Sequence, residues 1–182
     1  MPRDRDGLCS VVRKPTKEWM AVLSSGRLRV ALERAQATGD DLTGAMRRGV
    51  GLSQLTREIY RAERHESDLV VALVELDGPH ETNRRGGRAE GDPVLRLFVE
   101  RLFNYMRPYD LVVRVGGDEF VCVLPDADAQ TARVRLALVA ADSWDGIPTP
   151  SFSIGVASVE HGDTAEAMLA RAGADLRAPG AP

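Results

Sequence analysis

The sequence predicts an α+β fold, a mixed central β-sheet flanked by helices, with a helical extension at its N-terminus. Three observations predict it. Leu69–Leu76 and Phe152–Ser158 are short apolar runs rich in β-branched residues, the pattern of strands buried in a sheet. Gly116-Gly117 divides two further apolar runs, Val112–Val115 and Phe120–Val123, which reads as a hairpin. Segments with helical periodicity separate these pieces, so the order is helix, strand, helix, hairpin, helix, strand, helix.

Taken in order, Met1 to about Pro15 is polar. Thr16 to Ala37 carries Trp19, Val22, Leu23, Val30 and Leu32 at helical spacing, weakened near Ser24-Ser25-Gly26. It reads either as a helix packed on the domain or as a dimerising, signal-relaying stalk. The division is expected between residues 1–39 and a domain over 40–182. Asp40-Asp41-Leu42-Thr43-Gly44 introduces a helix running to about Glu66, with the aspartates as caps and Leu55, Ile59 and Tyr60 facing the core. Leu69–Leu76 is a central strand that ends in acids. A glycine- and arginine-rich loop, Pro79 to Glu90, leads to a helix opened by Gly91-Asp92-Pro93, an aspartate cap followed by a first-turn proline. Val94, Leu95, Leu97, Phe98, Leu102 and Phe103 are expected inward, and Arg107-Pro108 ends this helix. The hairpin follows, its glycines expected in φ > 0 turn conformations. Ala127–Ala141 is a helix, Phe152–Ser158 a strand, and Thr164 to about Ala178 a last helix.

Length and composition fit one domain of ordinary core size with a helical extension. A formal net charge of -3 argues against a protein that coats nucleic acid, while leaving room for small anionic ligands held by local arginines. Lys14 and Lys17 are the only lysines; nearly all basic residues are arginine. Cys9 and Cys122 are isolated, without metal-ligand spacing, and Cys122 is expected in the core. No apolar run is long enough to span a bilayer and the polar N-terminus has no signal-peptide core, so the chain is expected in the cytoplasm with no membrane partner.

Chemistry concentrates at the hairpin. The bend in Gly116-Gly117-Asp118-Glu119-Phe120 presents two acids in open backbone, able to bind a hard cation through oxygen. Acids in turns also simply keep the turn hydrated. Gly116-Gly117-Asp118-Glu119-Phe120 resembles the signature of the GGDEF family of diguanylate cyclases, and Asp40-Asp41-Leu42-Thr43-Gly44 resembles the Asp-x-Leu-Thr-Gly opening of the same domains. The resemblance extends over about Asp40 to Leu176. It implies a palm-like nucleotidyl-cyclase sheet and the condensation of two GTP into cyclic di-GMP, a bacterial second messenger. It also implies Mg²⁺ or Mn²⁺ as cofactor and a homodimer with one GTP per protomer. On the matching positions, Asp118 and Glu119 are the catalytic and metal-binding hairpin acids. Glu75 takes the first acid of the family's Asp-x-Asp strand end, and Asp77 matches the second. Asn83 and Asp92 match the guanine-reading pair; a carboxylate facing guanine's two adjacent donors disfavours adenine. Gly116, Gly117 and His80 fall at substrate-binding positions, and Arg107 and Asp110 match the Arg-x-x-Asp product-inhibition site. Outside the resemblance, Asp92 reads as a helix cap, Asn83 as a loop residue and Arg107 as a helix-terminal cation.

Four departures qualify the match. Glu75 stands for an aspartate, and Mg²⁺ tolerates little distortion around ligand distances of roughly 2.0–2.1 Å. Pro79-His80 replaces the residues before and at a phosphate-facing lysine; histidine, with an unperturbed pKa of about 6.5, is mostly neutral at pH 7. Arg84 and Arg88 replace an aspartate and a histidine of the loop. The last helix, Ala172 to Pro179, lacks the family's basic pair, with Arg177 out of place. A competing reading is therefore a catalytically poor domain that senses GTP or cyclic di-GMP. A third, an ATP-using cyclase, is opposed by Asn83 and Asp92.

Overall fold

The computed structural model describes residues 38–77, 88–142 and 150–178, with 88–90 described as helix backbone alone. The expected helix over 16–37, the residues His80 and Asn83 and the side chain of Arg88 lie outside the described residues.

Among those residues, five strands form one mixed sheet in the order β1-β3-β4-β2-β5: β1 Met46–Arg47, β2 Leu69–Leu76, β3 Leu111–Arg114, β4 Glu119–Pro125 and β5 Phe152–Ser158. Only β1 and β3 run parallel; the other pairings are antiparallel. Four helices cover the sheet: α1 Arg48–His65, α2 Arg88–Tyr105, α3 Ala129–Ala141 and α4 Ala165–Leu176. The run chosen as a central strand, β2, does sit between β4 and β5. Alternation along it divides the core. Val70, Ala72, Val74 and Leu76 face Phe98 and Leu102 of α2 and Leu136 and Val139 of α3. Leu69 and Val71 face Leu55, Ile59 and Ala62 of α1 and Met168 and Ala172 of α4. The α+β expectation holds, with helices on both faces.

Several local expectations are corrected. The helix expected from Asp40 begins at Arg48, and the residue at its N-cap, Arg47, makes no side-chain cap. Asp40 instead organises a tight turn, its Oδ1 accepting from Thr43 N at 3.0 Å and Thr43 Oγ1 at 2.8 Å, with Gly44 at φ 75°. Strand β1 follows this turn, too short for its period to be read. Asp92 is not a helix cap, because α2 already begins at Arg88 and Pro93 lies inside it. As the sixth residue of the helix, Pro93 lies just past the first four N–H groups that lack partners anyway, so it costs the ladder one bond in the second turn. Tyr60 is 67% and Phe103 48% exposed. Each follows a buried neighbour, Ile59 or Leu102, and one residue turns a helix by about 100°. Caps on the later helices are side-chain oxygens: Asp128 accepts from Thr131 N at 2.7 Å and Thr164 from Ala167 N at 3.1 Å.

Gly155 in β5 lies so close beneath α4 that a Cβ there would collide with the Ala172 carbonyl oxygen and Leu176 N. Helix α4 therefore rests directly on strand backbone. Asp175 fastens the contact: Oδ2 accepts from Val156 N at 2.8 Å and from Arg133 Nη2 of α3 at 2.6 Å. Cys122 is fully buried, as expected, and burial followed by the nearby charge of Asp110 pushes its thiol up to about 12.

Candidate active site at the hairpin

The hairpin turn is closed by two backbone bonds, Val115 N and Gly116 N to Glu119 O at 3.0 and 3.2 Å, and joined to β2 by Leu76 N to Asp118 O at 3.1 Å. Gly116 is not in the left-handed region; the positive-φ glycines are Gly44 and Gly162. Its need for glycine is steric. A Cβ at position 116 would run into the Glu119 carboxylate and come within 3.1 Å of Glu119 Cβ, so the glutamate side chain folds over the turn.

The β2–β4 register sets Glu75 directly opposite Glu119. Opposed antiparallel residues have Cβ atoms about 4.5–5.5 Å apart on one face. Both are exposed, and among the described residues neither carboxylate has a hydrogen-bond or ion-pair partner. Like charges facing each other across a ladder oppose strand pairing. The fold therefore keeps an unfavourable pair near the end of its central strand, and no group among the described residues offsets it.

Asp118 diverges from them. It is 7% exposed, held where consecutive residues entering a strand point opposite ways. Among the described residues no three His, Cys, Asp or Glu side chains are arranged to hold a metal ion. Of the expected acids, then, the structure pairs Glu75 with Glu119 and turns Asp118 inward beside them. The donor set still suits a hard divalent cation, since Glu75 and Glu119 offer carboxylate oxygens that no ion pair among the described residues occupies. Asp77 is exposed, and its N–H donates to Ser151 O at 2.8 Å. Asp92 is half-buried in the second turn of α2.

Arg114, at the end of β3, was missed by the sequence reading. Its guanidinium donates to the carbonyl oxygens of Gly116 (3.3 Å) and Gly117 (2.6 Å from Nη2) and to Asp40 Oδ1 at 2.7 Å, and it lies 6.0 Å from the Phe120 ring centroid. It joins the Asp40 turn to the hairpin turn across 74 residues of sequence, a separation no local pattern reveals. Burial raises the Asp40 pKa, but the hydrogen bonds from Arg114 and Thr43 outweigh it and leave the carboxyl below its ordinary value.

At the opposite end of β3, Arg107 and Asp110 share one turn but not one environment. Arg107 is exposed, donating to Tyr109 Oη at 3.0 Å with its guanidinium 5.8 Å from that ring centroid. The Asp110 side chain is 0% exposed; Oδ2 accepts from Arg107 N and from Arg135 Nη1 of α3, both at 2.7 Å. Its Oδ1 is buried with no hydrogen-bond partner. Arg135 is a second residue that the sequence reading did not single out.

Comparison with known proteins supplies the family context. Residues 37–179 match the family described as diguanylate cyclase, GGDEF domain. The chain is 31% identical over 147 residues to the diguanylate cyclase DgcP of Pseudomonas aeruginosa, an alignment covering 77% of this chain and 22% of that protein. The fold matches diguanylate cyclase SiaD of P. aeruginosa, solved with its activator SiaC, at TM-score 0.74 and 29% identity over 88% of this chain and 63% of that one. A microbial GGDEF domain solved with cyclic di-GMP matches at TM-score 0.69 and 27% identity over 79% and 90%. The chain thus spans about a fifth of DgcP. No described helix is long and apolar enough to cross a membrane.

Proposed function

This chain belongs to the GGDEF family of diguanylate cyclase domains, and from that premise we propose that it condenses two GTP into cyclic di-GMP. One observation carries the reading: Glu75 and Glu119 face each other where β2 meets the hairpin, both exposed and neither carboxylate partnered among the described residues. Such an arrangement weakens the sheet and is of use when a divalent cation is shared between the two side chains. Mg²⁺ or Mn²⁺, held by Glu75 and Glu119 with Asp118 adjacent, would offset triphosphate charge and acidify the 3′-hydroxyl.

The chain's own groups then have distinct tasks. Glu119, folded over Gly116, is the carboxylate placed to take the proton of the 3′-hydroxyl. The 3′-oxygen forms a bond to the α-phosphorus of the second GTP, the α–β anhydride bond breaks, and pyrophosphate leaves; a second such step closes the ring. Arg114 fixes the turn carbonyls so that the position of Glu119 is set before substrate arrives. Gly116 and Gly117 keep the bend free of side chains that would crowd the phosphates. Asp92 with Asn83 reads guanine, His80 serves the phosphates, and the exposed Arg107 contacts the product, its turn fixed from behind by the buried Asp110. Two protomers, each carrying one GTP, bring the sites face to face.

Glu75 in place of an aspartate, His80 at the lysine position and a last helix without its basic pair favour a second reading, a poorly catalytic domain that senses GTP or cyclic di-GMP, the latter through Arg107. One assay separates them. The protein is incubated with Mg²⁺ and GTP or ATP and the products are resolved by chromatography. Cyclic di-GMP from GTP, abolished in Glu119→Gln, is the expected result. Absence of product, with cyclic di-GMP binding that Arg107→Ala removes, leaves the sensor.

A further inference from the structure

On the α1 and α4 face of the sheet, Glu119 of the hairpin borders a shallow cavity of about 180 Å³, lined also by Arg48, Leu73, Val115, Val121 and Leu169. Four of these side chains are aliphatic, so the cavity carries its charge on two groups alone, a carboxylate and a guanidinium. Arg48 is exposed and makes no hydrogen bond or ion pair within the described residues. It occupies the first turn of α1, fixed there by the β1–β3 pairing of Met46 with Val113 and Arg47 with Arg114. The same element that anchors the hairpin thus carries a cation to the open side of Glu119.

We propose that Arg48 binds the phosphate chain of the nucleotide, a role that rests on the GTP reading above. The chemistry follows from the cavity. A divalent cation held by Glu119 would draw phosphate oxygens, and the Arg48 guanidinium on the same cavity wall is able to donate two parallel bonds to the remaining ones. The aliphatic floor of Leu73, Val115, Val121 and Leu169 side chains supplies no competing donor or acceptor. Arg48 thereby takes up the task vacated by His80, mostly neutral at pH 7, and by a last helix with Ala172, Gly173 and Ala174 before its end.

The test compares GTP with GMP. Titration calorimetry on the full chain with Mg²⁺ measures the binding of GMP and of the slowly turned-over analogue α,β-methylene-GTP. In Arg48→Ala the affinity for the triphosphate is expected to fall about tenfold or more while that for GMP changes by less than about twofold. Arg48→Lys should recover part of the loss, as a point charge without the paired geometry. An equal effect on both ligands, or none on either, overturns the proposal. A wild-type chain that binds neither ligand overturns the nucleotide reading itself, a result separable from the first. Circular dichroism melting of each variant monitors the fold, and Arg48→Gln replaces Arg48→Ala if the latter melts early.

Discussion

The two ends of β3 place acids beside arginines in contrasting ways. At the hairpin end, Arg114 is spent on backbone carbonyls and Asp40, and Glu75 and Glu119 are left facing one another in water. At the entry end, Asp110 is sealed from solvent and bound to Arg135, and the neighbouring Arg107 is displayed on the surface. The first arrangement costs stability and leaves charge available to a ligand. The second satisfies charge internally and makes the turn a structural joint between β3 and α3. The same pair of residue types thus marks a reactive site in one place and a rivet in the other; burial and partners decide which.

The contrast can be broken at the rivet most strongly. Asp110→Ala leaves Arg135, 12% exposed, without its partner, and the expected destabilisation is about 3–5 kcal/mol in urea unfolding. A loss under about 1 kcal/mol would show that the pair is already open in solution. At the reactive end the effects should reverse. Glu119→Gln is expected to lower cyclic di-GMP formation by about 10²-fold or more while leaving the melting temperature unchanged or slightly raised, since it removes a like-charge pair. A clear drop in melting temperature would mean that Glu119 stabilises the strand pairing after all.

Gly116→Ala tests the steric reading. The added methyl must displace the Glu119 carboxylate, so turnover should fall by roughly tenfold, a shift of about an ångström being enough. Unaltered turnover would disprove the collision. The smallest expected effect is on acid stability. Asp40 has a folded-state pKa below its unfolded value, so the stability it lends is present above the unfolded carboxyl pKa of about 3.9 and fades as pH falls through the folded value. The difference in melting temperature between wild type and Arg114→Ala should therefore be largest near neutrality and narrow below about pH 4 to the part owed to the Gly116 and Gly117 carbonyls. A constant difference across that range removes Asp40 from the account.

Much of the sheet was legible because its strands are self-marking. The ends of β2 and β5 coincide with the apolar runs, and the hairpin with its glycine pair. What escaped was set by distance or by contact. Strand β1 is two residues long and exists because β3 lies beside it. Asp40 looked like a cap, since its true partner, Arg114, lies 74 residues away. Pro93 looked like a helix start, although α2 begins five residues earlier, at Arg88. At the site, the pairing of Glu75 with Glu119 followed from motif spacing. The inward turn of Asp118, the sealing of Asp110 by Arg135 and the cavity beside Arg48 are products of side-chain packing, which spacing does not encode.

Asp175 has a consequence for the solution behaviour of the domain. β5 is an outer strand, and such strands tempt stray chains to extend the sheet. By occupying the Val156 N–H and drawing Arg133 in behind it, Asp175 plugs that edge with a charged pair. An intruding strand would have to dislodge both charges before making its first bond, so the helix that closes the domain also guards it against aggregation.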